Sequence, residues 1–357
     1  MRWFALYLPQ FHEIEENNHW WGKGFTEWTH VNGAKPLYIG HRQPVVPLNQ
    51  NYYNLLNKSV VEWQTELMKK HGLNGFVYYH YYFAGKKIME KPAENLLKWK
   101  DIDQPFFFCW ANHSWFQAHE NHKKLLIEQT YGKQQDWEKH FEYLLPFFKD
   151  ARYEKRDNKP LFMIFNSNFK EKGDMFDFFN KKCIENGFAG ISVIETRLDN
   201  ASESNLYTSP HTDLIYLREP NVSQNIWNTK SLFRRGVNRL YRSLINRKIN
   251  LLPRKYKGKS LYKIMQKNYS TNPKLCHGVF FSWDNTPRHG KYGYIITPPS
   301  KELFMKYADK IQNDEYVFIN AWNEWAEGMI LEPTEHNKYK YLEWIKEWNE
   351  SRANNTF

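Results

Sequence analysis

Two acidic residues three positions apart, Glu324 and Glu327, lie within YVFINAWNEWAEGMILEP, the stretch from Tyr316 to Pro333. In a helical turn that spacing projects both from one side of the chain. Carboxylates held together raise each other's proton affinity, so one of a pair can stay protonated near neutral pH. An acid kept beside a base is what cleavage or transfer of a glycosidic bond requires. The plainer alternative is a helix N-terminus, where acidic side chains complement the dipole. Trp322 and Trp325 flank the pair and favour a site, since perturbed carboxylates cluster in functional clefts.

The pair follows a short apolar run, Tyr316 to Asn320, long enough for a buried strand and too short for a helix. Seven similar runs precede it: Trp3 to Leu8, Gly75 to Tyr81, Pro105 to Trp110, Pro160 to Phe165, Ile191 to Glu195, Thr212 to Leu217 and Gly278 to Trp283. Most are continuous rather than alternating, as strands covered on both faces must be. Val60 to His71, Asp136 to Lys149 and Lys301 to Ile311 carry apolar residues at helical spacing, and Gly72 stands where a helix C-cap is expected. Eight strand–helix alternations predict a single (β/α)8 TIM barrel spanning 1–357, with aromatic-rich βα loops.

Barrel enzymes place their chemistry at the C-terminal ends of the strands. The residues there are candidate sugar contacts: Tyr7, Gln10, His12, Trp20, Trp21, Glu27 and Trp28 after the first run, and Tyr79 and His80 in the second. Trp110, Asn112 and His113 follow the third, and Trp283, Asp284 and Asn285 follow the seventh. Trp322, Asn323 and Trp325 surround the glutamates. Tyrosines from 78 to 82 suit barrel packing equally well, and a lone His80 is more often a hydrogen-bonded core residue than a catalyst.

The aromatic content, 15 Trp, 23 Tyr and 25 Phe, exceeds what a core needs and suits a cleft for amphipathic ligands such as sugars. Three distant cysteines, Cys109, Cys183 and Cys276, have neither metal-ligand spacing nor the pattern of a disulfide framework, which predicts no metal site and a reducing compartment. No cofactor is expected. MRWFALYLPQ lacks the apolar core of a signal peptide, and no stretch reaches membrane-spanning length, so a cytoplasmic location is expected.

With these residues assembled, the chain resembles a known family. YLPQFHEIEENNHWWGKGFTEWTHV near the start and INAWNEWAEGMILEP near the end are similar to the WbsX-type proteins of bacterial surface-polysaccharide loci, a family labelled glycosyltransferase. The closing motif also resembles glycoside hydrolase family 99, retaining endo-α-mannosidases and endo-α-mannanases whose carboxylates lie in a similar Asn-Glu-Trp-x-Glu-Gly context. The resemblance implies that Glu324 is the base drawing the proton from the sugar 2-hydroxyl, which then attacks the anomeric carbon to give a 1,2-anhydro sugar. It implies that Glu327 is the acid protonating the leaving oxygen and later activating the acceptor. Asn323 would orient a hydroxyl or its neighbouring glutamate, while Trp283, Asp284 and Asn285 would line the cleft. One departure stands out: the family's Ala-Asn-Glu-Asn-Trp-Thr-Arg after the third strand reads here from Ala111 to Gln117 with His113 in place of the acid and no arginine.

The net charge of +11 is concentrated, since residues 221–270 hold thirteen Lys or Arg and no Asp or Glu. Leu232 to Asn250 reads as a cationic helix with apolar positions Leu232, Phe233, Val237, Leu240, Leu244 and Ile245, a basic insertion after the sixth strand. The segment 230–267 could contact an anionic membrane or a lipid-linked glycan, or simply be a solvated helix. No nucleic-acid motif accompanies the charge, so an oligo- or polysaccharide is the expected partner. Three functions stand: retaining glycosidase-type chemistry on a surface polysaccharide or its lipid-linked precursor; a glycosyltransferase, for which no Gly-rich phosphate loop or metal-binding Asp pair is visible; and a non-catalytic glycan binder, which would not need an acid–base pair.

Overall fold

The computed structural model describes residues 1–118, 123–198, 210–247, 249 and 252–354. Eight parallel strands form its centre: β1 (Arg2–Tyr7), β2 (Gly75–Phe83), β3 (Phe106–Trp110), β4 (Lys159–Ile164), β5 (Ser192–Arg197), β6 (Thr212–Leu217), β7 (Leu275–Val279) and β8 (Tyr316–Ile319). Each pairs with the next, and β1 pairs with both β2 (Leu6 opposite Val77) and β8 (Ala5 opposite Ile319). The ring therefore closes without an edge. Around it run the helices α1 (Lys58–Lys70), α2 (Lys91–Lys98), α3 (Gln134–Phe148), α4 (Lys172–Glu185), α5 (Asn221–Thr229), α6 (Leu232–Asn246), α7 (Gly258–Lys267), α8 (Lys301–Lys310) and α9 (Lys340–Asn354). This is the (β/α)8 barrel.

Local chemistry sets the crossovers. The helix α1 ends in a Schellman motif, with Leu73 N–H on the Met68 carbonyl (3.1 Å) and Gly72 N–H on that of Lys69 (3.0 Å). Gly72 takes φ +76° there, and a Cβ on it would lie 2.4 Å from the Asn349 amide of α9.

The two-residue period of a strand sorts each run into an inner and an outer face. Phe4, Phe107, Phe318 and Tyr216 meet inside the ring, with successive centroids 5.4, 6.1 and 4.9 Å apart. Trp3, Phe108 and Phe162 point outward, onto Trp348 of α9, Phe147 of α3 and Phe179 of α4. Both faces are dry, which is why the runs read as continuous rather than alternating.

The seventh run is displaced from expectation. Its strand spans Leu275–Val279, and Trp283–Asp284 leaves the barrel to pair antiparallel with Tyr294–Thr297. That pair extends in parallel to Arg254–Lys257, so a three-stranded sheet ties the basic insertion to the β7 exit. Its helix α6 stops at Asn246, and Asn250, where the sequence suggested its end, lies outside the described residues. The inner side of α6 is polar and cationic: Arg234 lies 3.6 Å from the Trp227 ring centroid, and Asn238 accepts from Arg254. Its apolar residues face solvent instead, with Leu232 82%, Phe233 79%, Val237 44% and Leu240 61% exposed. Among the described residues no helix is long and apolar enough to cross a membrane.

Candidate active site

The chain leaves β8 at Asn320 and turns under the barrel mouth. Asn323 fixes that turn: its Oδ1 accepts from Leu8 N–H (2.7 Å) and its Nδ2 donates to the Leu8 carbonyl (3.0 Å), as a paired strand would. A short 3-10 turn, Trp325–Glu327, follows, and Gly328 closes it at φ +63°. A Cβ on Gly328 would lie 2.9 Å from the Asp284 nitrogen, so only glycine brings this turn against the β7 exit.

Glu324 is buried, and among the described residues its Oε2 has no hydrogen-bond donor, Arg288 Nη2 standing 3.8 Å away. Burial first, then the negative charge of Glu327, raises its pKa to about 8. Glu324 therefore keeps its proton at neutral pH. Glu327 is more open and accepts from Arg288 Nη1 (2.6 Å) and Trp283 Nε1 (3.2 Å). Arg288 Nη2 donates to Glu27 Oε2 at 2.9 Å. One guanidinium, on the short helix at the β7 exit, thus faces three carboxylates: Glu324 and Glu327 from the β8 exit and Glu27 from the loop after β1.

Of the strand β2 residues, Tyr79 and Tyr81 turn inward, close enough for the Glu324 charge to act on both hydroxyls. Gln10 donates to the Tyr81 hydroxyl at 3.0 Å. Trp115 packs edge-on to Tyr81 (5.1 Å) and to Trp20 (5.9 Å), making an aromatic wall that leads to the glutamates. Such a wall suits the apolar face of a sugar ring.

Several expected contacts lie elsewhere. Tyr7, His80 and Trp110 fall on the outer strand face, so they meet helices rather than the mouth. Tyr7 donates to Gln64 of α1, His80 pairs with His140 of α3, and Trp110 donates to the Tyr82 carbonyl. Asn112 is also fully buried, bonded to both the backbone N–H and the carbonyl of Asn166, and so joins the ends of β3 and β4. Trp28, Trp322 and Trp325 are scaffold: Trp28 donates to the Tyr53 carbonyl, Trp322 packs on Phe76 and Trp325 donates to Glu332. Asp284 accepts from His41, Gln43 and Thr286, leaving it no free oxygen for a sugar, and Asn285 caps the Tyr294 N–H. His12 is buried and its pKa is pushed down to about 4, so it is neutral. Trp21 stacks on Phe25 at the surface, and His113 is exposed at the mouth with its ring 5.2 Å from Phe165.

Other residues escaped the sequence reading. Glu332 accepts from Tyr53, Trp325 and Gln64, and burial raises its pKa to about 7. Arg288 stood five residues beyond Trp283 but nothing local marks it as a bridge, and Arg218 follows an apolar strand without any motif. Among the described residues no group of three or more His, Cys, Asp or Glu is arranged to hold a metal ion.

The model of the family described as Glycosyltransferase WbsX matches residues 3–345. An uncharacterized protein WxcX from two strains of Xanthomonas campestris pv. campestris is 29% identical over 364 residues. That match covers 95% of this chain and 48% of WxcX, so the chain spans about half the length of the curated relatives it matches. The GH99 endo-α-mannosidase of Bacteroides thetaiotaomicron, solved with BIS-TRIS-propane, superposes with a TM-score of 0.58 at 14% identity, over 100% of this chain and 99% of that one. A glycoside hydrolase-like protein gives 0.58 at 12% identity, over 97% and 93%. At such identities the structural likeness speaks for the barrel alone. The family match extends over nearly the whole chain, and the protein belongs to the family described as Glycosyltransferase WbsX.

Proposed function

We propose that this protein breaks or transfers a glycosidic bond, with retention at the anomeric carbon, in a bacterial surface polysaccharide or its lipid-linked precursor. The observation that carries the reading is the buried Glu324, its pKa raised by burial and by Glu327, beside a Glu327 held by Arg288 and Trp283. Glu324 takes the 2-hydroxyl proton as that oxygen attacks the anomeric carbon, and Glu327 protonates the departing oxygen. Water or a sugar hydroxyl, deprotonated by Glu327, then attacks the anomeric carbon, the C1–O2 bond breaks as Glu324 returns its proton to O2, and the configuration is restored. With its pKa raised to about 8, Glu324 keeps its proton at neutral pH, so the proton must move to Glu327 before the first step. A sugar oxygen that takes over the Arg288 hydrogen bond frees Glu327 to receive it.

The test is turnover of activated α-mannosides, related glycosides and the producing organism's surface glycan, without nucleotide sugar, by wild type and Glu327→Gln. Release by wild type is expected from all of them, and in the variant it is lost for the surface glycan, whose leaving oxygen needs a proton. Transfer that appears only when a nucleotide sugar is added would establish the second reading, a glycosyltransferase of O-antigen, capsule or lipopolysaccharide assembly, which the family description favours.

A cytoplasmic place at the inner membrane accompanies this function. The helix α6 turns Leu232, Phe233, Val237 and Leu240 outward beside exposed Arg235, Arg239 and Arg242, the pattern of a helix lying on an anionic bilayer. Co-sedimentation with phosphatidylglycerol vesicles, absent with phosphatidylcholine and lost in a Leu232→Ser, Phe233→Ser double variant, is the expected result. Equal behaviour of the variant and wild type would remove the membrane from the account.

A further inference from the structure

Arg152 shows how this fold satisfies a buried structural arginine. Its guanidinium makes two bonds of 2.9 Å to Asp150 and three of 2.7–2.8 Å to the carbonyls of Trp99, Ile102 and Leu96. Arg218, at the end of β6, is only 9% exposed and is treated differently. Its Nη1 makes one bond, 3.2 Å to Asn221 Oδ1, and its Nε has no acceptor among the described residues. No carboxylate of the described residues lies within 4.0 Å of it; Glu324 and Glu327 act on it only through space, and Arg288 is the cation that contacts them.

Its surroundings are aromatic. The guanidinium carbon stands 5.0 Å from the Phe165 ring centroid, and Tyr79 and Tyr216 are close enough to sense its charge. The nearest group at the mouth from β3, His113 against Phe165, brings no negative charge. A guanidinium kept buried without an ion partner is destabilising by several kcal/mol unless something supplies the missing acceptors. Its planar fork matches the two oxygens of a carboxylate or phosphate.

We propose that Arg218 forms an oxyanion subsite beside the glutamate pair, recognising a negatively charged group on the sugar chain: the carboxylate of an acidic sugar or the phosphate joining a sugar to its carrier. This rests on the cleft being a glycan site. It makes the substrate an anionic glycan rather than a neutral one.

The experiment is calorimetric titration of the intact protein with two matched pairs of probes, methyl glucuronide against methyl glucoside and mannose 1-phosphate against mannose. The expected result is that one anionic probe binds about tenfold or more tighter than its neutral counterpart, as charge-assisted bonds of this kind provide. That ratio falls to near one in Arg218→Met and is partly kept in Arg218→Lys, which also serves should the first variant not fold. The carboxylate arm identifies an acidic sugar and the phosphate arm a glycosyl phosphate. Wild type without any anionic preference, including wild type that binds none of the probes, overturns the proposal, as does a preference that survives both substitutions. Turnover of neutral aryl glycosides is read separately: glutamate-dependent turnover without anionic preference removes this subsite alone, while anionic preference without turnover removes the catalytic reading.

Discussion

Arg288 Nη1 donates to Glu327 Oε1 across 2.6 Å, from a short helix at the β7 exit to the turn after β8. The same guanidinium reaches Glu27 and stands 3.8 Å from Glu324, so its positive charge offsets the mutual repulsion of the site's carboxylates.

Arg288→Met should therefore push the titration of Glu324 above its present value of about 8, because the charge that lowers it is gone. The pH–rate profile moves to higher pH, and kcat falls by about a hundredfold, the usual consequence of losing one preorganised charge at the reacting centre. A profile unchanged from wild type would show that Arg288 does not act on the pair.

The two glutamates should separate by leaving group. A general acid is dispensable when the leaving group needs no proton, so Glu327→Gln should retain turnover of dinitrophenyl glycosides while losing action on the natural glycan. Glu324→Gln should lose both. The reverse pattern would exchange the two roles, in keeping with the raised pKa of Glu324.

Stability should fall as pH rises from 7 to 8, above the window in which the buried neutral His12, His80 and His140 favour the fold as pH climbs. Glu219 and Glu332 have folded pKa values raised to about 7, and Glu324 to about 8, all chiefly by burial. Between their ordinary value of 4.5 and these raised values, the folded state binds protons that the unfolded chain has released. Their contribution is complete below the unfolded value and is lost as pH climbs through the folded one, at about 1.4 kcal/mol per pH unit per group. Urea unfolding of wild type and Glu332→Gln at pH 5, 6, 7 and 8 measures the effect: between 5 and 7 the difference between the two should change by roughly one group's share. A flat or rising wild-type profile from pH 7 to 8, or a difference between wild type and variant that does not change with pH, would count against the protonated acids.

Asn323→Ala removes both bonds to Leu8 and leaves that buried backbone pair unsatisfied. A loss of about 1–3 kcal/mol in unfolding free energy is expected. Because the side chain touches no cleft group, the activity lost should appear in kcat through a displaced Glu324, with KM little changed.

Much of the architecture is legible in the sequence. Seven of the eight apolar runs became barrel strands, the seventh contributes only Gly278 and Val279 to its strand, and Val60 to His71, Asp136 to Lys149 and Lys301 to Ile311 sit within a residue or two of α1, α3 and α8. These features are local, set by side-chain volume, burial on both faces and the glycine that ends α1. The glutamate spacing was equally visible, although the pair lies across a strand end and a 3-10 turn rather than on a regular helix.

What the sequence could not decide is direction and partnership. From Tyr78 to Tyr82 five polar aromatics stand in a row, and only ring closure determines that Tyr79 and Tyr81 face the glutamates while Tyr78, His80 and Tyr82 meet the helices. The same closure sends Tyr7 and Trp110 outward and turns Trp28, Trp322, Trp325 and Asn323 into supports. Arg288 and Glu27 are 261 residues apart, and no local pattern announces a bridge over such a distance. Apolar periodicity is written residue by residue along the chain; charge pairing at the mouth of a barrel exists only once the first and last strands have met.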